Sequence, residues 1–168
     1  PGAAAVGMLE LRRFFGSGVV ISVPKGKWEL IQPAALERAT PAIQPQDIVL
    51  INTGWHAKYS DSKEYFGHAP GLSKAAAEWL AAKNVKLVGM DTATIDHPLA
   101  TSIGPHRNGP QIPCLLKEYK AATGREAIQD FPDWNPAHKA LLAKGIPTIE
   151  NVGGDLAAVA GKRCTLQG

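Results

Sequence analysis

His138 and Glu150 are the two residues whose types and positions most directly suggest chemistry. The run 135–138 reads NPAH, with Asn as a helix N-cap and Pro in the first turn, and therefore predicts that His138 lies at the start of a helix. The positive end of the backbone dipole disfavours a second proton on an imidazole in that position. A neutral imidazole and a carboxylate are both ligands of divalent metals.

The residues between His138 and Glu150 predict how the two side chains meet. The helix is expected to run to Lys144 and to stop at Gly145, and a strand over 146–152 (IPTIENV) follows directly. Helix and strand are then antiparallel neighbours, so the far end of the strand returns toward the helix start. Such a pair is half of a zinc or manganese site, which uses three or four protein ligands. The alternative is a surface histidine and a glutamate that caps a neighbouring group.

The remaining elements predict the fold class. Apolar runs rich in β-branched residues over 18–23, 47–53 and 85–90 predict buried strands. Residues 73–83 (SKAAAEWLAAK) predict a helix with Ser73 as N-cap, and shorter helices are predicted over 33–38 and 115–123. Strand, helix and strand joined by short connections indicate a βαβ crossover with parallel strands. The predicted class is therefore α/β.

Trp55 and His56 follow the second predicted strand, at the end where α/β domains bind ligands. Trp55 is a candidate for lining a pocket for a flat substrate, and the alternative is an aromatic that seals the edge of the core. Asp91 and the pair Asp96-His97 are candidates for contacts that orient a metal-bound histidine, although capping of a turn explains Asp96 more simply.

A long loop over 96–113 (DHPLATSIGPHRNGPQIP) is too rich in Pro and Gly to be a regular element. Long loops in compact domains often carry function. His106 and Arg107 are candidates for a cationic tip that recognises a carboxylate. With Trp55 and His97, these two residues complete the predicted substrate-binding set.

Composition excludes several classes of protein. The chain has 168 residues, 45% of them apolar, which suits one globular domain, and 18 Lys+Arg against 15 Asp+Glu give a scattered +3 rather than a basic nucleic-acid surface. No apolar run approaches the roughly 20 residues of a membrane span. Two widely spaced cysteines and the absence of a secretory signal pattern predict a reducing, cytoplasmic location. Walker A and G-x-S-x-G patterns are also absent.

An ordered series of motifs carries a resemblance to a known family. The motifs are 47–55 (DIVLINTGW), 65–66 (YF), 70–73 (PGLS), 77–80 (AEWL), 85–91 (VKLVGMD), 95–96 (ID), His138 and 149–151 (IEN). In this order they resemble the cyclase family of metal-dependent hydrolases, which includes bacterial kynurenine formamidase and isatin hydrolase. The similarity extends over about residues 14 to 156. It implies a cyclase-like, swivelling β/β/α fold with a mixed sheet flanked by helices, and we expect N- and C-terminal segments of that fold to be lacking from these residues.

The resemblance implies that His138 and Glu150 are ligands of a divalent metal, zinc or manganese. The family also carries an upstream signature, H-x-G-T-H-x-D-x-P-x-H, which supplies the other ligands and a catalytic histidine. It is absent here, since residues 1–16 contain neither His nor Asp. We therefore expect residues 1–168 to form a single cyclase-like domain of a longer chain or complex. A homo-oligomer or a complementary chain would supply the remaining ligands.

The chemistry implied by the family is hydrolysis of a small amide, lactam or related carbonyl compound by metal-activated water. The catalytic residues, including the histidine that moves the proton, would lie in the absent signature. A different class stays open: a metal-free binding or scaffolding subunit that keeps the fold without catalysis. Nucleic acid and membranes are not expected partners.

Overall fold

A five-stranded mixed sheet forms the centre of the computed structural model, which describes residues 6–102 and 112–167. In spatial order its strands are β6 (Thr148–Ile149), β5 (Leu87–Met90), β3 (Ile48–Asn52), β1 (Phe15–Ser22) and β7 (Lys162–Gln167). The first four run parallel, and β7 pairs antiparallel with β1. The carboxyl ends of these four strands therefore lie at the same end of the sheet.

Short elements surround this sheet. Two parallel strands, β2 (Leu30–Ile31) and β4 (Gly71–Leu72), form a separate ribbon. The helices are α1 (Pro33–Glu37), α2 (Lys63–Gly67), α3 (Lys74–Ala82), α4 (Ile112–Thr123), α5 (Ala127–Asp130), α6 (Pro136–Leu142) and α7 (Leu156–Val159). Single 3₁₀ turns lie at Val6–Met8, Leu11–Arg13, Trp55–Lys58 and Pro98–Ala100.

The main core lies between the sheet and helices α3 and α6. Because side chains alternate along a strand, every second residue faces these helices. The buried cluster includes Val19, Ile21, Val49, Ile51, Val88 and Met90 from the strands, together with Leu80 and Leu141 from the helices. Helix α3 is capped as the sequence predicts, since the Ser73 hydroxyl accepts the Ala76 N–H at 3.1 Å. This packing fixes both helices against the sheet.

The structure confirms the predicted α/β class and the parallel crossover from β3 through α3 to β5. The strand predicted over 146–152 is shorter, because only Thr148–Ile149 joins the sheet. Asn151 has a left-handed backbone conformation, with φ of 56°, and its N–H bonds to the Thr92 carbonyl. The chain therefore curls around the end of β5 directly after Glu150. The sequence pattern does not predict β7, which is the outermost strand on the β1 side of the sheet.

Within the described ranges, no helix is long and apolar enough to cross a membrane.

Candidate functional site

His138 and Glu150 lie next to each other at the edge where the parallel strands end. The Nε2 atom of His138 is 3.0 Å from the Oε1 atom of Glu150. The same carboxylate oxygen accepts the Ile95 N–H at 3.0 Å, which ties Glu150 to the loop that follows β5. Both side chains are partly open, with 23% and 29% of their surface exposed. The structure thus brings together the two residues that the sequence singles out.

Asp96 contacts His138 on the side of the imidazole ring opposite Glu150. Its carboxylate is fully buried, and its Oδ1 atom accepts the Ala137 N–H at 2.7 Å. Its Oδ2 atom accepts the His138 N–H at 3.2 Å and lies 2.5 Å from His138 Nδ1. Asn135 occupies the N-cap position of α6, as the sequence predicts, but its φ is 47° and its side chain makes no capping bond. A carboxylate from a distant loop caps α6 instead.

The protonation state of His138 differs from the expectation based on the helix dipole. Burial by itself would lower the pKa of His138, but hydrogen bonds to Asp96 and Glu150 outweigh it and raise the pKa to about 9. Burial would raise the pKa of Glu150, but its contacts with His138 and the Ile95 N–H lower it. Two carboxylates at hydrogen-bonding distance prevail over the weak dipole of a seven-residue helix. Without a metal, His138 is therefore cationic at neutral pH.

The donor atoms of this pair suit a divalent ion. Asp96 occupies Nδ1 of His138, so Nε2 is the ring nitrogen that faces Glu150. An imidazole nitrogen and a carboxylate oxygen are two of the three or four ligands that zinc or manganese requires. Within residues 6–102 and 112–167, no three His, Cys, Asp or Glu side chains come together in a group that could hold a metal ion. Any further ligands would come from outside these residues.

A cavity of about 650 Å³ opens beside His138. Its wall combines apolar groups, among them Phe66, Leu115 and Trp134, with polar ones such as Thr94. A volume of this order and a mostly apolar lining are typical of small-molecule sites. Sequence reasoning missed Trp134, and the YF motif at 65–66 was the available signal for Phe66. His138 is one of the residues that line this cavity, so a ligand bound there would lie next to it.

Trp55 lies in the packed interior rather than on this wall. It is 2% exposed, and its Nε1 donates to the Tyr65 carbonyl at 3.0 Å. Tyr65, Ala69 and Ala93 complete a small apolar cluster around it. The position of Trp55 therefore agrees with the alternative that it seals the edge of the core, and not with a role in lining a substrate pocket.

His97 is also a core residue, 1% exposed and stacked on Phe131 at a ring-centroid distance of 3.9 Å. Its Nε2 contacts the Trp28 carbonyl at 3.1 Å, and its Nδ1 accepts the Leu99 N–H at 3.2 Å. Burial lowers the pKa of His97 to about 3, despite the bond to Trp28. Both ring nitrogens are engaged within the chain, and His97 is not part of the wall beside His138. His106 and Arg107 lie outside the described residues.

Asp91 contacts His56 and not the candidate metal ligand His138. Its buried carboxylate accepts the N–H and hydroxyl of Thr53 through Oδ1, at 3.0 and 2.6 Å. Its Oδ2 atom accepts the His56 N–H and lies 3.0 Å from His56 Nδ1. His56 lines a separate cavity of about 390 Å³ together with Tyr65 and Asn151. Asp91 therefore orients His56, and Asp96 orients His138.

Comparison with known proteins relates this arrangement to a family. Residues 1–97, more than half of the chain, match the family described as "Putative cyclase". Kynurenine formamidases of Bordetella pertussis and Bordetella bronchiseptica are each 35% identical to this chain over 106 residues. The matched region is 62% of this chain and 47% of each relative. The chain spans about half the length of the curated relatives it matches.

Solved structures share the fold at lower sequence identity. Isatin hydrolase A from Ralstonia solanacearum superimposes with a TM-score of 0.67 and 18% identity, over 96% of this chain and 56% of that one. Isatin hydrolase A from Labrenzia aggregata gives 0.59 and 19%, over 87% and 51%. A structure described as a potential metal-dependent hydrolase with cyclase activity gives 0.57 and 19%, over 89% and 55%. These structures show that the fold is shared, and the match over residues 1–97 shows that the chain belongs to the cyclase family.

Proposed function

We propose that this chain is part of a metal-dependent hydrolase that cleaves a small amide, lactam or related carbonyl compound. In this proposal His138 and Glu150 are two ligands of a divalent ion, zinc or manganese. The observation that carries it is the 3.0 Å approach of His138 Nε2 to Glu150 Oε1 beside a cavity of small-molecule size. Relatives described as kynurenine formamidases and metal-dependent hydrolases support the same class.

A divalent ion, when bound, polarises a carbonyl oxygen and lowers the pKa of water from about 15.7 toward 7. The residues of this chain bind and orient the reactants around it. Phe66 and Trp134 line the cavity in which a planar substrate would bind. The Thr94 hydroxyl accepts the Asp96 N–H at 3.3 Å and contacts the Glu150 carboxylate, so it helps to hold Glu150 in place. The metal would take the position of the proton that His138 shares with Glu150 in the metal-free state. Metal binding therefore releases a proton below about pH 9.

Among the described residues, no three His, Cys, Asp or Glu side chains form a group that could hold a metal ion, so in this proposal His138 and Glu150 are only part of the ligand set. We propose that the remaining ligands, and the histidine that transfers the proton, come from another segment of a longer chain or from a second copy or complementary chain. Residues 1–168 then act as one cyclase-like domain within that assembly. The substrate is a small molecule bound in the cavity beside His138.

A second candidate function is a binding or scaffolding subunit that holds no metal. The observation that favours it is the ion pair between the cationic His138 ring and Glu150, which satisfies both groups without a metal. In that case the Asp96–His138–Glu150 contacts stabilise the junction of α6 and β6, and the cavity binds a ligand that is not hydrolysed.

Metal analysis combined with an activity assay distinguishes the two functions. The protein is purified as the full-length chain or oligomer that supplies the remaining ligands and is loaded with Zn²⁺ or Mn²⁺. Its metal content is measured by mass spectrometry, and hydrolysis of an aryl formamide and of isatin is followed. We expect about one metal ion per site, with metal and hydrolysis both lost on His138→Ala. His56→Ala is the matched control, because it removes another Asp-bound imidazole and should keep both. A protein that stays metal-free under loading would contradict the hydrolase and support the scaffold.

A further inference from the structure

Asp96 is a buried charged residue whose surroundings fix it from several directions. It follows β5 in a loop that bridges to β4, where Leu72 pairs with it and the Leu72 N–H bonds to the Ile95 carbonyl at 2.8 Å. Gly71 packs so closely against this loop that a Cβ atom there would lie 2.2 Å from the His97 nitrogen and 2.6 Å from the Asp96 carbonyl carbon. The backbone around Asp96 thus has little freedom to move.

The two oxygens of this carboxylate have different partners. Oδ1 caps α6 through the Ala137 N–H, whereas Oδ2 binds both the backbone N–H and the ring Nδ1 of His138. Each oxygen already accepts a backbone N–H, so the carboxylate is the acceptor in this contact and Nδ1 is the donor. The ring is then fixed in one orientation, with Nε2 toward Glu150.

We propose that Asp96 is a positioning residue that sets the tautomer and the ring orientation of His138, so that Nε2 is presented to a divalent metal. The inference rests on the proposed function, because it requires that the His138–Glu150 pair holds a metal. It adds that one carboxylate, Asp96, determines which ring nitrogen of His138 binds the metal. Removing such a partner typically weakens metal binding about 10- to 100-fold.

The chain contains a matched control for this role. Asp91 is equally buried and makes an equivalent set of contacts, with two donors of Thr53 on Oδ1 and the N–H and Nδ1 of His56 on Oδ2. Asp91→Asn and Asp96→Asn therefore remove the same kind of hydrogen bonds from equally buried positions. Only Asp96→Asn acts on the candidate metal pair.

The test uses the full-length chain or oligomer that supplies the remaining ligands. Calorimetry measures the Zn²⁺ affinity of the wild type, Asp96→Asn, Asp91→Asn and His138→Ala in that assembly, and thermal unfolding of each is recorded in chelator. We expect the two Asn variants to lose similar stability. Asp96→Asn should bind Zn²⁺ about 10- to 100-fold more weakly than the wild type, and Asp91→Asn within about 3-fold of it. His138→Ala should abolish binding.

Equal Zn²⁺ affinities of the two Asn variants would overturn the positioning role alone. Failure of the wild-type protein to bind Zn²⁺ would overturn the metal pair and the positioning role together. Long-range ¹H–¹⁵N spectra of the Zn²⁺-loaded wild type keep the test open if Asp96→Asn does not fold. We expect the His138 proton on Nδ1, and a proton on Nε2 with metal on Nδ1 would overturn the inference without any variant.

Discussion

The charge on His138 makes the stability of the metal-free protein depend on pH in a predictable direction. The pKa of His138 rises from 6.5 to about 9 on folding, so the folded state retains a proton that the unfolded chain releases. The resulting stabilisation is fully present below pH 6.5 and is lost as the pH rises through about 9. Since each tenfold change in proton affinity is worth about 1.4 kcal/mol, the contribution is about 3 kcal/mol. Solvent screening of a ring that is 23% exposed reduces it to about 2 kcal/mol.

Urea unfolding in the presence of chelator measures this contribution. The free energy of unfolding of the wild type should fall by about 2 kcal/mol more than that of His138→Gln between pH 6 and pH 9.5. Lys139→Gln is the control, because it removes a positive charge from the next residue of the same helix and should keep the wild-type slope. Parallel pH profiles for the wild type and His138→Gln would refute the reasoning that the two carboxylates hold a proton on this ring.

Two further substitutions test the packing and the ion pairs that position the site. Gly71→Ala should destabilise the fold by about 1–3 kcal/mol in urea unfolding, because its Cβ would overlap the backbone at 96–97, whereas Gly7→Ala meets no atom within 4 Å and should be nearly neutral. Arg163→Ala should cost about 2 kcal/mol, because it leaves the buried carboxylate of Asp47 without its two guanidinium bonds of 2.6 and 3.0 Å; an unchanged unfolding midpoint would contradict this role.

Local sequence signals were sufficient for much of the fold. The β-branched runs that became β1, β3 and β5 are apolar on both faces, as strands covered on both sides must be. The Ser73 cap and the Ala-rich face of α3 are likewise contained within one short segment. The end of β6 was not predictable in this way, since it depends on the left-handed turn at Asn151 and its bond to the Thr92 carbonyl.

In the candidate site, too, some features follow from local sequence and others depend on distant residues. The approach of Glu150 to His138 follows from a helix and a strand joined by a short turn, so local spacing anticipates it. Local spacing does not predict the charge of His138, because that charge depends on Asp96, which lies 42 positions earlier in the chain. Trp134 reaches the cavity wall without any periodic signal. The sequence marks Asp96 as a candidate for orienting a histidine, but the local pattern does not show which histidine it contacts.

Anomalous diffraction at the zinc edge, from crystals grown with Zn²⁺, tests the metal assignment most directly. We predict a single strong peak about 2.0–2.2 Å from both His138 Nε2 and a Glu150 oxygen, with Asp96 still bound to Nδ1. A zinc peak elsewhere, with His138 and Glu150 still hydrogen-bonded to each other as in the metal-free protein, would contradict the assignment.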